Sequence, residues 1–142
     1  MYITRFIRTD EKPEENYYYQ TLEEAEKHLH LFDNDDSGLY RNISILDDQA
    51  GKVLVILLFK DGKVVDTFKE GDCIRLNKEF CEPGEEQYIF AIQNLNEATG
   101  RAVISCLNSK LVLGSSESVG LEMIHTIGTT VNDILEAAKE NG

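Results

Sequence analysis

Apolar positions recur loosely over residues 2–8, where Tyr2, Ile3, Phe6 and Ile7 predict an edge-type strand. Asp10 to Asn16 is polar and holds Pro13, so it reads as a loop. Tyr17-Tyr18-Tyr19 is a short β-prone segment expected to pair with the first strand. A helix start follows. Thr21-Leu22-Glu23-Glu24 has the capping-box pattern, with Thr21 as N-cap and Glu24 three residues on. Leu22, Ala25, Leu29 and Phe32 then fall on one helical face, and acids in the first turn suit the helix dipole. Asp33 to Gly38 predicts a turn. Leu39 to Leu46 predicts a strand with Leu39, Ile43 and Ile45 on one side, and Val53 to Phe59 a more fully apolar strand. Asp61-Gly62 is a two-residue hairpin signal leading into a strand over 63–69.

The first half thus reads ββαβββ, and Glu70-Gly71-Asp72 marks a module boundary. Beyond it come short segments with strand character: 73–77, 87–94, 101–107, 110–113 and 118–124. Glu82-Pro83-Gly84-Glu85 and Asn96-Glu97-Ala98-Thr99-Gly100 supply turns. A helix capped by Thr130 closes the chain, with Val131, Ile134, Leu135 and Ala138 on one face. The expected class is α+β: a module over 1–70, then a small barrel or curled sheet with a C-terminal helix over 71–142, the two modules sharing a core or folding apart.

The chain has 142 residues, 42% of them apolar, enough for an ordinary core. No run approaches the ~20 apolar residues of a membrane helix. Charges interrupt the N-terminal segment, so no signal peptide is read. Cys73, Cys81 and Cys106 are odd in number and unpatterned, which fits a reducing, cytoplasmic setting. No membrane partner and no cofactor are expected.

Charge changes this picture. There are 26 acids against 14 bases, a net of −12. Between Asp10 and Asp36 ten acids face only Lys12 and Lys27, a net of −8. Between Glu79 and Glu97 there are five acids and no base. Direct nucleic-acid binding needs a basic surface and is not expected. A basic surface on another protein, such as a nucleic-acid-binding protein, is the expected kind of partner. The plain alternative is that the acids serve solubility. The candidate partner-binding acids are Glu14, Glu15, Glu23, Glu24, Glu26, Asp35 and Asp36, helped by Glu82, Glu85 and Glu86.

Other chemistry is thin. Asp33-Asn34-Asp35-Asp36-Ser37-Gly38 follows the first half of a calcium loop, with Asp33, Asp35 and Ser37 at ligand positions. The bidentate glutamate due at position 12 is Ser44, so an Asx-rich turn is the better reading. His28 and His30 sit two residues apart on a helix and cannot chelate one ion. A zinc site from the cysteines and His125 would lack any C-x-x-C pair. Gly114 to Gly120 fits neither a nucleophile elbow nor a phosphate loop. No catalytic residue is singled out, so a non-enzymatic protein is expected.

The run Tyr19-Gln20-Thr21-Leu22-Glu23-Glu24-Ala25, followed by Leu39-Tyr40-Arg41-Asn42-Ile43, resembles small accessory proteins of phage and conjugative elements of gut bacteria. Gly71-Asp72-Cys73-Ile74-Arg75-Leu76, Asn96-Glu97-Ala98-Thr99-Gly100-Arg101 and Val119-Gly120-Leu121-Glu122-Met123-Ile124 resemble SH3-like barrels of the same setting. The resemblance implies a context in which acidic proteins occupy nucleic-acid-binding surfaces of host defence systems, as anti-CRISPR and antirestriction proteins do. It supplies no functional residues.

Overall fold

A computed structural model of the chain describes residues 1–107 and 113–141. It is a mixed α+β protein with two five-stranded antiparallel sheets and two helices. The chain divides into two compact units. The first is Met1–Phe68 with Leu95–Gly100; the second is Lys69–Asn94 with Arg101–Gly142.

The first unit follows the predicted ββαβββ order: β1 (Tyr2–Arg8), β2 (Glu15–Tyr19), α1 (Leu22–His30), β3 (Tyr40–Asp47), β4 (Lys52–Lys60) and β5 (Lys63–Lys69). In space the strands run β2-β1-β3-β4-β5. Register explains the core. Phe6 stands opposite Ile43, which stands opposite Leu57; Thr4, Ile45 and Val55 form the next row. Strand alternation then puts these side chains on one face. α1 lays Ala25 and Leu29, both fully buried, onto that face, with Leu22 and Phe32 partly buried at its margin. Burying a leucine completely stabilises by about 1.5–3 kcal/mol. Thr4 Oγ1 donates to the Ala25 carbonyl at 3.2 Å and ties β1 to the helix.

At the helix start the N-cap half of the capping box is formed, while the Glu24 carboxylate bonds the Thr21 hydroxyl in place of its backbone N–H. Glu24 N donates to Thr21 Oγ1 at 3.2 Å. The Glu24 carboxylate in turn accepts from the Thr21 hydroxyl at 2.9 Å. The β4–β5 turn places Asp61 and Gly62 at positive φ, 52° and 80°, the pair of left-handed residues that a type I′ hairpin needs. Leu39 departs from expectation. It precedes β3, is 40% exposed and does not join Ile43 and Ile45 in the core.

The second unit contains β6 (Asp72–Leu76), most of β7 (Phe90–Asn96), β8 (Arg101–Leu107), β9 (Leu113–Gly120), β10 (Ile124–Thr130) and α2 (Val131–Asn141). The strand order is β10-β6-β7-β8-β9. β10 and β9 are therefore the two ends of a sheet, and the expected barrel closure is not formed among the described residues. The strand predicted over 118–124 is also revised. A 3₁₀ turn at Leu121–Met123 interrupts it, ending β9 and starting β10. Of the strand predicted over 110–113, residues 110–112 lie outside the described residues and Leu113 opens β9. Thr130 caps α2 as expected: Asp133 N donates to Thr130 Oγ1 at 3.1 Å and Thr130 N to Asp133 Oδ2 at 3.2 Å. No helix among the described residues is long and apolar enough to cross a membrane.

Candidate functional site

Two arginines on β1 organise the acids of the first unit. Arg8 forks onto Asp10, donating from Nε at 2.9 Å and from Nη2 at 2.7 Å, and its Nη1 donates to Glu15 at 3.1 Å. Its guanidinium also lies 5.9 Å from the centre of the Tyr40 ring. Hydrogen bonding from Arg8 holds the Asp10 carboxyl down at about 2, and the same bond holds the Arg8 guanidinium above its ordinary range. Arg5 donates from Nε to Asn16 Oδ1 at 2.7 Å and from Nη1 to Glu97 at 2.8 Å, with Glu14 at 3.6 Å. Asn42 Nδ2 donates to the Glu97 carbonyl at 3.0 Å. Glu14 and Glu15, both predicted for the partner-binding face, are thus held in ion pairs within the protein.

The remaining predicted acids of this unit sit on and just after α1. Glu23 is exposed and faces Lys27 at 3.9 Å, a weak pair at this exposure. Glu24 closes the helix cap. Glu26 is half-buried and Asp36 exposed. Asp35 accepts from Ser37 N at 3.3 Å and from Ser37 Oγ at 2.7 Å, the hydrogen bonding of an Asx turn. Asp33 turns away from that group to His30, at 3.0 Å. The three calcium-position residues are therefore engaged in local contacts. No group of three or more metal-ligating side chains occurs among the described residues.

In the second unit, Glu82, Glu85 and Glu86 share the connection from β6 to β7. The Glu85 carboxylate accepts from Glu82 N at 2.6 Å, and that of Glu86 from Gly84 N at 3.2 Å. Backbone bonds from Glu85 N to Glu82 O and from Tyr88 N to Glu85 O tighten the same loop. Glu79 joins these acids, Lys78 is the one base of the segment, and Phe80 and Tyr88 are 42% and 46% exposed. Burial, reinforced by Glu86 and Glu85, pushes the Cys81 thiol up, which disfavours the reactive thiolate.

No family model, curated protein or solved structure matches the chain. A functional reading therefore rests on these residues and their chemistry.

Patterning alone missed the aromatic cluster beside β2. The Phe6 ring meets Tyr17, His28, Phe32 and Tyr40 with centroids 5.0–5.5 Å apart, in edge and tilted geometries. His28 Nδ1 shares a hydrogen bond with Tyr19 Oη at 2.9 Å, and burial lowers its pKa. Glu15 and burial together raise the Tyr17 phenol. The signal was present in the sequence as Tyr17-Tyr18-Tyr19 and the helical spacing of His28 and Phe32. Their convergence on Phe6 depends on strand register.

Proposed function

We propose that the protein is a non-enzymatic binding module that docks on a basic surface of another protein. The observation that carries this is the 78–88 segment: Glu79, Glu82, Glu85 and Glu86 stand with two exposed aromatic rings and a single lysine. Carboxylates offer charge-assisted hydrogen bonds to arginine and lysine, and aromatic faces add cation–π attraction to the same groups. The loop is already ordered by its own glutamates, so less conformational freedom is lost on docking. Glu23, Glu24, Glu26, Asp35 and Asp36 add to the long-range field that draws a basic partner. Glu14 and Glu15 contribute less than their charge suggests, because Arg5 and Arg8 offset them.

The resemblance to mobile-element accessory proteins points to a nucleic-acid-handling protein of a host defence system as the class of partner, with the acids standing where phosphates would. The test is affinity capture from bacterial lysate at low salt, with the intact chain and a variant carrying Glu79→Gln, Glu82→Gln, Glu85→Gln and Glu86→Gln as baits. Glutamine keeps the oxygen that the loop bonds use. A basic protein retained by the intact chain should bind the variant about tenfold or more weakly, and should elute as salt rises. Recovery of no basic protein, or equal retention by both baits, would remove the proposal.

A second reading has one specific observation behind it: Arg5 and Arg8 offset part of the charge of Asp10, Glu14, Glu15 and Glu97, two positive groups against four negative ones. On this reading the protein is an assembly module, its sheet edges dock partners and the acids keep it soluble.

A further inference from the structure

Arg75 on β6 differs from the arginines of the first unit. Arg5 and Arg8 are held by carboxylates, whereas Arg75 meets none at ion-pair distance among the described residues. It is half-buried, and its Nε–H is buried with no hydrogen-bond partner among those residues. Leaving a buried donor unpaired is costly, most of all on a charged group.

His125 lies directly opposite Arg75 in the β10–β6 ladder. The two side chains therefore rise from one face of the sheet, with Cβ atoms about 4.5–5.5 Å apart. Asn77 fixes the imidazole. Its Nδ2 donates to the Glu122 carbonyl at 2.9 Å, which leaves Oδ1 to accept from His125 Nδ1–H at 2.7 Å. The neutral ring then presents Nε2 as an acceptor. Two acids lie close in the chain. The Glu122 carboxylate folds onto the place a side chain on Gly120 would take. Glu79 is offset by its neighbour Lys78.

We propose that Arg75 and His125 form a site for a small phosphate anion that carries an O–H. The guanidinium gives Nε–H and one Nη N–H to two phosphate oxygens as a fork. The phosphate hydroxyl donates to His125 Nε2. Inorganic phosphate keeps such a hydroxyl at neutral pH, and sulfate does not. The net charge of −12 repels anions from afar, but physiological salt screens it beyond about 8 Å, so contact hydrogen bonds decide. His125 is exposed, and the dissociation constant is on the order of 1 mM.

The test is titration of inorganic phosphate into the intact chain at constant ionic strength and mildly alkaline pH. Nitrogen-15 NMR follows the Arg75 Nε–H and the His125 ring. Both signals should shift and saturate together. Sulfate should bind more weakly by about fivefold or more, and His125→Ala should erase that preference. Arg75→Gln, read at His125, should weaken phosphate binding about tenfold or more, while Arg101→Gln should leave it unchanged. Shifts that never saturate overturn the proposal. So do phosphate binding that survives Arg75→Gln and equal affinity for the two anions. The Arg75 and His125 signals of the unaltered chain, with phosphate against sulfate, decide the matter even if Arg75→Gln does not fold.

Discussion

Arg5 on β1 meets Glu97, 92 residues further along the chain, at 2.8 Å. The two side chains are only 20% and 9% exposed, so each depends on the other for compensation. Glu97→Ala leaves the guanidinium with Asn16 and Glu14 and removes its strongest partner. The expected loss of stability is about 2 kcal/mol. The same substitution in an Arg5→Ala background should cost far less, and urea unfolding of the four proteins measures the coupling.

Phe6 joins helix, sheet and the β2 edge through one ring. It is 1% exposed and touches four aromatic side chains. Phe6→Ala should destabilise by about 3–5 kcal/mol. Tyr17 and Tyr40 would lose a rigid neighbour, so the near-ultraviolet circular dichroism of tyrosine should fall together with the unfolding midpoint.

Asp10 gives the acid limb of the stability curve. Its carboxyl titrates at about 2 in the folded chain against an ordinary 3.8. The unfolded chain takes up the proton first, so this group's stabilising contribution is complete above 3.8. It fades as pH falls and is gone once pH has passed through about 2. Asp10→Asn should therefore unfold at a lower temperature than the native chain at neutral pH and converge with it toward pH 2. Carbon-13 NMR of the Asp10 carboxyl gives the midpoint directly.

His28 acts in the opposite half of the acid range. Burial among Phe6, Tyr17, Tyr19 and Phe32 disfavours its charged form, and its pKa lies below the ordinary 6.5. Above 6.5 both folded and unfolded chains hold it neutral. Below that value the unfolded chain gains the proton first, and stability declines until pH passes the folded value. His28→Gln retains a partner for the Tyr19 hydroxyl and cannot titrate. Thermal unfolding of the two proteins from neutral to mildly acidic pH should show a smaller decline for the variant.

Local chemistry made much of this fold readable. Thr21 and Glu24 announced α1, Ala25 and Leu29 its buried face, Asp61-Gly62 the hairpin, and Thr130 the last helix. The break at Leu121–Met123 was hidden, because Val119 to Ile124 is apolar enough for a strand and a 3₁₀ turn has no strong sequence mark. β10 was missed for a related reason. Ile124-His-Thr-Ile-Gly-Thr-Thr130 lacks clean alternation, and Gly128 sits at φ 77° where the register against β6 shifts. The candidate acids were legible as charge but not as environment. That Glu15 belongs to Arg8 follows from the β1–β2 hairpin, and that Arg5 belongs to Glu97 follows only from the folded chain. Coulomb compensation is set by distances in space, which a count of residues does not contain.

Leu95–Gly100 counts with the first unit although the strands on either side of it belong mainly to the second. Dividing the gene at a single position is therefore incompatible with recovering either half whole. A polypeptide stopped after Phe68 would display Arg5 and Asn42 without the glutamate that both of them hold. Any attempt to isolate the first unit must graft that six-residue loop back on, and any attempt to isolate the second must replace it with a neutral turn.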